Sequence, residues 1–98
     1  MKHFVKFEVF ETITNNEEVK RVREAAGKQL QQIQSSGKLV EGGMFGDARG
    51  GFLVFDLEGP SDLYELLGNA IFDNCRIESH PIVSFKELGE FFKKHPVE

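Results

Sequence analysis

Tryptophan is missing from this chain, and cysteine and tyrosine occur once each. A lone thiol, Cys75, excludes an internal disulfide framework. No stretch approaches the roughly 18 apolar residues of a membrane-spanning helix. The opening Met1-Lys2-His3-Phe4-Val5-Lys6 is too broken by charge to resemble a secretory leader. Basic residues are scattered in runs of two at most, and the net charge is −4. Nucleic-acid recognition needs a basic stripe, so neither nucleic acid nor a membrane is an expected partner. The bulk reading is a cytoplasmic protein.

Phenylalanine, by contrast, is abundant, with ten among 98 residues. Apolar residues make up 40% and charged ones 29%, an ordinary globular balance. A chain of this length forms one domain, here residues 1–98, and buries enough surface for one core without staples.

Periodicity assigns the elements. Residues 3 to 10 alternate as a strand, with His3, Val5, Phe7 and Val9 on one side and Phe4, Lys6, Glu8 and Phe10 on the other. Thr14-Asn15-Asn16-Glu17 reads as a capping box with Thr14 as the cap. Val19, Val22, Ala26, Leu30 and Ile33 then form a helical stripe that Gly37 stops. Gly27 within it suggests close packing against a sheet. A second strand spans residues 38 to 46, and its Gly42-Gly43 pair suggests a bulge. After a turn around Asp47-Ala48-Arg49, Phe52 to Glu58 alternates again. Pro60 opens a second helix with Leu63, Leu66, Leu67, Ala70 and Ile71 as its stripe. Residues 74 to 80 read as a fourth strand ended by Pro81, and Ser84-Phe85-Lys86-Glu87 caps a short last helix.

The order is therefore βαββαβ plus a C-terminal helix, a ferredoxin-like α+β arrangement. Right-handed crossovers give one antiparallel sheet with the first and third strands central and both main helices on one face. The opposite face keeps Phe4, Phe10, Phe52 and Val54, an apolar patch that a lone chain seldom exposes. A second copy, sheet against sheet, is the economical cover, so a homodimer is expected.

Lys6, Glu8, Asp56, Arg76, Glu78 and His80 share that outer face. Ionisable groups among phenylalanines suit a small-molecule ligand, and equally suit cross-strand pairing on a wet surface. Imidazole is the side chain best matched to proton transfer near neutral pH, which singles out His80. Asp56 and Glu78 are a candidate carboxylate pair. No spacing resembles a metal signature, and Cys75 is expected to be a buried, inert thiol.

Asp56-Leu57-Glu58, then Asp62-Leu63-Tyr64-Glu65-Leu66-Leu67, then Ile77-Glu78 with Pro81 close behind, resemble the muconolactone isomerase family. Its members read F-D-V-E, E-L-H-D-L-L and E-I-D-V-T-P in that order. The first strand Val5-Lys6-Phe7-Glu8-Val9 is similar to V-K-M-T-V, and Leu30-Gln31-Gln32-Ile33-Gln34-Ser35-Ser36-Gly37-Lys38 is similar to L-Q-R-Q-G-K with a short offset. The resemblance covers about residues 3 to 83 and implies a dimeric α+β barrel, often assembled into a higher oligomer. It further implies cofactor-free isomerisation of an unsaturated lactone by proton transfer. A Trp- and Arg-rich second strand, W-R-x-x-W-R, marks the family. Here that stretch is Leu39-Val40-Glu41-Gly42-Gly43-Met44, and only Arg49, one position displaced, matches the family's G-R-Y. The last helix is also an addition.

Catalytic candidates are thus His80, Glu78 and Asp56. Substrate-binding candidates are Lys6, Arg49, Arg76, Phe4 and Phe52, with no metal and no cofactor. The alternatives are a non-enzymatic ligand-binding or assembly module, and a cofactor-free monooxygenase.

Overall fold

The structure, a computed structural model, describes residues 2–97. Its elements run β1 (Lys2–Val9), α1 (Asn16–Ser35), β2 (Leu39–Met44), β3 (Gly50–Asp56), α2 (Ser61–Phe72), β4 (Cys75–Ile82) and α3 (Phe85–Lys94). The four strands form one antiparallel sheet in the order β2-β3-β1-β4, so β1 and β3 are central. This α+β arrangement is compatible with a ferredoxin-like fold.

One face of the sheet holds the core. Val5 and Phe7 of β1, Leu53 and Phe55 of β3 and Cys75 of β4 pack with Ile33 of α1 and with Leu67 and Ile71 of α2. Both main helices therefore lie on the inner face. Alternation along β1 decides this: Val5 is wholly buried, while Phe4 and Lys6 on either side are only half so.

Local chemistry sets the boundaries, with several differences from the sequence reading. The cap of α1 is Asn15, not Thr14, and its Oδ1 accepts from the amides of Glu17 (2.9 Å) and Glu18 (3.4 Å). Either residue can cap; Asn15 is placed to reach two amides. The β2 bulge falls between Leu39 and Glu41, not at Gly42-Gly43. Gly43 is small for another reason: a Cβ there would stand 3.0 Å from the Phe52 ring. β4 does not end at Pro81 but runs through it to Ile82, with Pro81 opposite His3. An edge strand tolerates proline, because one row of its amides has no ladder partner.

α2 is broken at Gly68, whose φ of 64° and ψ of 173° are not helical. The break frees the Leu66 carbonyl, and Gln29 of α1 donates its Nε2 to it at 2.6 Å. That bond ties the two helices together at the kink. Apolar spacing alone hid the break, since Leu63, Leu66 and Leu67 precede it and Ile71 follows it.

α3 has the expected cap: Ser84 Oγ accepts from the Glu87 amide at 3.0 Å. None of its residues is buried. The radius of gyration is 16.2 Å, against about 13 Å for a compact chain of this length. α3 accounts for the excess by standing away from the body, so Phe91 and Phe92 do not dock on their own sheet.

Two glycines contrast. A Cβ on Gly50 would overlap the carbonyl oxygen of Phe7, whereas one on Gly27 meets nothing within 4 Å, so Gly27 does not mark close packing. Gly50→Ala should cost about 1–3 kcal/mol by forcing β1 and β3 apart. Gly27→Ala should be neutral or stabilise by up to about 1 kcal/mol. Urea unfolding of the two variants checks the contrast.

Candidate functional site on the open sheet face

Register lays the outer face out in rows. Asp56, Lys2 and Ile82 form one end row; Val54, Phe4 and His80 the next; then Phe52, Lys6 and Glu78; then Gly50, Glu8 and Arg76. Residues paired across antiparallel strands point the same way. Seven of the eight candidates are thereby gathered on one surface, with Asp56 at its margin. Lys2 and Ile82 join them, although the sequence reading did not include them. Their signal lies in the sequence, since the alternation of β1 and β4 extends one step further, to Lys2 and Ile82.

Phe4 and Phe52 stack at the centre, ring centroids 6.1 Å apart and 18° from parallel. Around them the charges pair mainly along strands. Lys6 Nζ lies 2.8 Å from Glu8, and His80 Nε2 lies 3.5 Å from Glu78. Both are two-residue steps on one strand, so side chains on the same face meet directly. The pairs are largely wet: His80 and Glu78 side chains are 61% and 64% exposed. Such pairs add little stability, and their interest is chemical. Lys6, Glu8, Arg76 and Glu78 line a shallow hollow of about 80 Å³.

Arg49 is placed elsewhere. Its guanidinium donates to the Phe10 carbonyl at 2.9 Å, and its amide donates to Asp47 Oδ1 at 3.0 Å. It lines a separate crevice with Glu8, Glu11 and Asp47. Three carboxylates against one guanidinium make that crevice a poor seat for an anion, whereas Lys6 and Arg76 match Glu8 and Glu78 one for one in the hollow. Phe10 lies past the end of β1, where its amide donates to the Asn74 carbonyl (3.0 Å). Asp56 also borders an open crevice with Lys2, Ile82, Ser84 and Glu87 where α3 leaves the sheet.

The other histidines lie off this face. His3 is buried on the helix side, and its Nδ1 has no hydrogen-bond partner among the described residues. His95 contacts the Phe91 ring at the end of α3. Among the described residues, no group of three or more His, Cys, Asp or Glu is gathered as a metal ion requires. Nor is any helix among them long and apolar enough to cross a membrane.

No family model matches the chain, and no curated protein matches it significantly. The likeness to muconolactone isomerases accordingly rests on the motifs quoted above. The structure sets them in β1, at the end of α1, at the end of β3, along α2 and in β4.

Glu8, by hydrogen bond and charge, holds the Lys6 ammonium above its ordinary pKa. Its contribution to stability is therefore full below about pH 10.4 and lost as pH rises through the higher folded value. In an NMR titration, Glu8→Gln should bring the Lys6 pKa down. Burial pushes the Cys75 thiol up, with Arg49 opposing more weakly. Cys75 should resist a thiol reagent in the native protein at neutral pH and react in step with urea unfolding.

Proposed function

We propose that two copies pair through their outer sheet faces into an α+β barrel, and that the enclosed face isomerises a small unsaturated or aromatic-derived acid without a cofactor. The observation that carries this reading is the His80–Glu78 pair at 3.5 Å, on the same face as two cations and two stacked phenylalanine rings. An allylic proton shift needs a base to remove a proton, a cation to steady the enolate-like charge, and an acid to return the proton at another carbon. His80 and Glu78 supply the proton transfer: the one that takes the proton from the first carbon gives it back at the other, with its neighbour beside it. Lys6 and Arg76 hold the carboxylate, and Phe4 and Phe52 face the unsaturated carbons. Asp56 is a further acid at the margin. Protons and electrons balance within the substrate, so no redox partner is required.

A second reading is a non-enzymatic ligand-binding or assembly module. It is favoured by the Phe4–Phe52 stack, which fills the middle of the face, and by the 80 Å³ of the hollow in a single chain. A dry cavity that takes benzene measures about 150 Å³.

A thermal-shift screen of unsaturated lactones and aromatic acids separates the two. A ligand at about 100 times its Kd adds about 2.7 kcal/mol, which raises the Tm of a domain this size by roughly 10 °C or more. For a compound that shifts the wild type, His80→Ala and Glu78→Gln should each lower turnover by about 10²-fold or more while the protein stays folded. If no compound moves the wild-type Tm, the isomerase reading fails and the assembly module stands; a compound that binds without being turned over leaves the ligand-binding module instead.

A further inference from the structure

A second hollow lies on the other side of the sheet. It measures about 270 Å³ and sits between α1 and the strands. Phe7 and Val9 of β1 and Cys75 of β4 floor it, and Val22, Ala26 and Leu30 of α1 roof it. Benzene occupies a dry cavity of about 150 Å³, so a ring with a short tail has room here.

Side-chain size explains the gap. The roof residues follow one another at steps of four, and Ala26, the smallest, is in the middle. Gly50 of β3 lines the same space and can carry no side chain, because a Cβ there would overlap the Phe7 carbonyl. Small groups on both walls, with Val22 and Leu30 as spacers to either side, leave room that neither wall fills. Val22 is wholly buried, yet it lies outside the packed cluster of Val5, Phe55, Leu67 and Ile71. The helix–sheet interface is thus interrupted at this point.

Gly27 and Arg23, about one helical turn apart, form the mouth. Both are exposed, and a Cβ on Gly27 would meet nothing within 4 Å. Among the residues that line the hollow, Arg23 alone carries a charge. Its guanidinium has no ion pair or hydrogen bond among the described residues. Arg49, by contrast, is bonded to the Phe10 carbonyl, and its crevice holds three carboxylates. An apolar chamber with one unpaired guanidinium at its mouth matches a small monocarboxylate with a hydrocarbon body. The body leaves water, while the carboxylate stays at the rim, where the guanidinium can donate two parallel N–H bonds to it.

We propose that the hollow under α1 binds a monocarboxylic acid with a ring-sized apolar body, its carboxylate held by Arg23 and its body lying against Phe7 and Cys75. The site is on the inner side of the sheet, away from His80 and Glu78, and needs no second copy. It is separate from the site proposed above and stands or falls without it.

Hydrocinnamate, a benzene ring joined to a carboxylate by two methylenes, is the probe, with hydrocinnamyl alcohol as its uncharged counterpart. In an NMR titration of the full chain, hydrocinnamate should bind with a Kd of about 1 mM or tighter, as about a dozen non-hydrogen atoms allow. Amides of residues 22–30 and the Met44 methyl should shift, and Phe4 and Phe52 should not. Arg23→Gln should weaken the acid about fivefold or more and leave the alcohol unchanged. Gly27→Leu should weaken both by about tenfold or more by filling the mouth, with helix content and Tm retained because leucine is the better helix former. Several results overturn the site. No shift at about 10 mM hydrocinnamate, ten times that Kd, means that the hollow takes no such acid. Shifts confined to Phe4, Phe52 and their neighbours put the acid on the outer face instead. Binding that Gly27→Leu leaves untouched places it away from the mouth. Equal affinity of the wild type for acid and alcohol, or an equal loss of both in Arg23→Gln, removes Arg23 as the partner of the carboxylate.

Discussion

β1 is hydrogen-bonded on both sides, to β3 and to β4, in a register that fixes the direction of every side chain it carries. A slip of one residue would send Val5 and Phe7 into water and Lys6 and Glu8 into the core. Everything else follows from holding that register. The inner residues draw α1 and α2 onto one face, and the outer ones bring Phe4, Lys6 and Glu8 beside His80, Glu78 and Arg76. Close approach of backbone helps to hold it, for Gly50 lies so near the Phe7 carbonyl that no side chain fits between.

With both main helices committed to the inner face, the outer face is left as a mixed surface. Its charges satisfy one another mainly along each strand, Lys6 with Glu8 and His80 with Glu78. This leaves Arg76 beside Glu8 in register without an ion pair among the described residues. A surface of this kind has two uses. Wet, it is an ordinary charged sheet; enclosed, the same pairs lose their screening and become able to act on a substrate. The proposed function therefore depends on what lies on top of the face as much as on the residues in it.

Much of this was legible in the residue order. Alternation in 3–10 and 52–58 placed the central strands, and the helical stripes placed α1 and α2 on one side of them. The outer-face candidates followed from the same parity. What parity does not carry is pairing detail. The bulge sits at Val40 because strand register is settled against β3, while of the two glycines suggested in its place Gly43 makes room for the Phe52 ring and Gly42 lies against the Leu53 side chain and the Phe52 carbonyl. The break at Gly68 leaves no local signal because apolar spacing runs through it, and its compensating bond comes from Gln29, distant in sequence. Arg49 matched a motif, yet its guanidinium is held by a carbonyl that no local pattern names. An amphipathic helix such as α3 announces that it needs cover without saying whose.

Pro81 has an effect on how the protein behaves in a crowded solution. Open sheet edges invite further strands and so lead to fibres. β4 presents one edge, and Pro81 removes an amide donor from it. β2 presents the other, and the irregularity at Val40 breaks its straight run of pairing groups. With both edges blunted, growth in the plane of the sheet is discouraged, while the broad face carries no such barrier to another chain. Edge chemistry thus favours closed assemblies of few chains over open-ended ones.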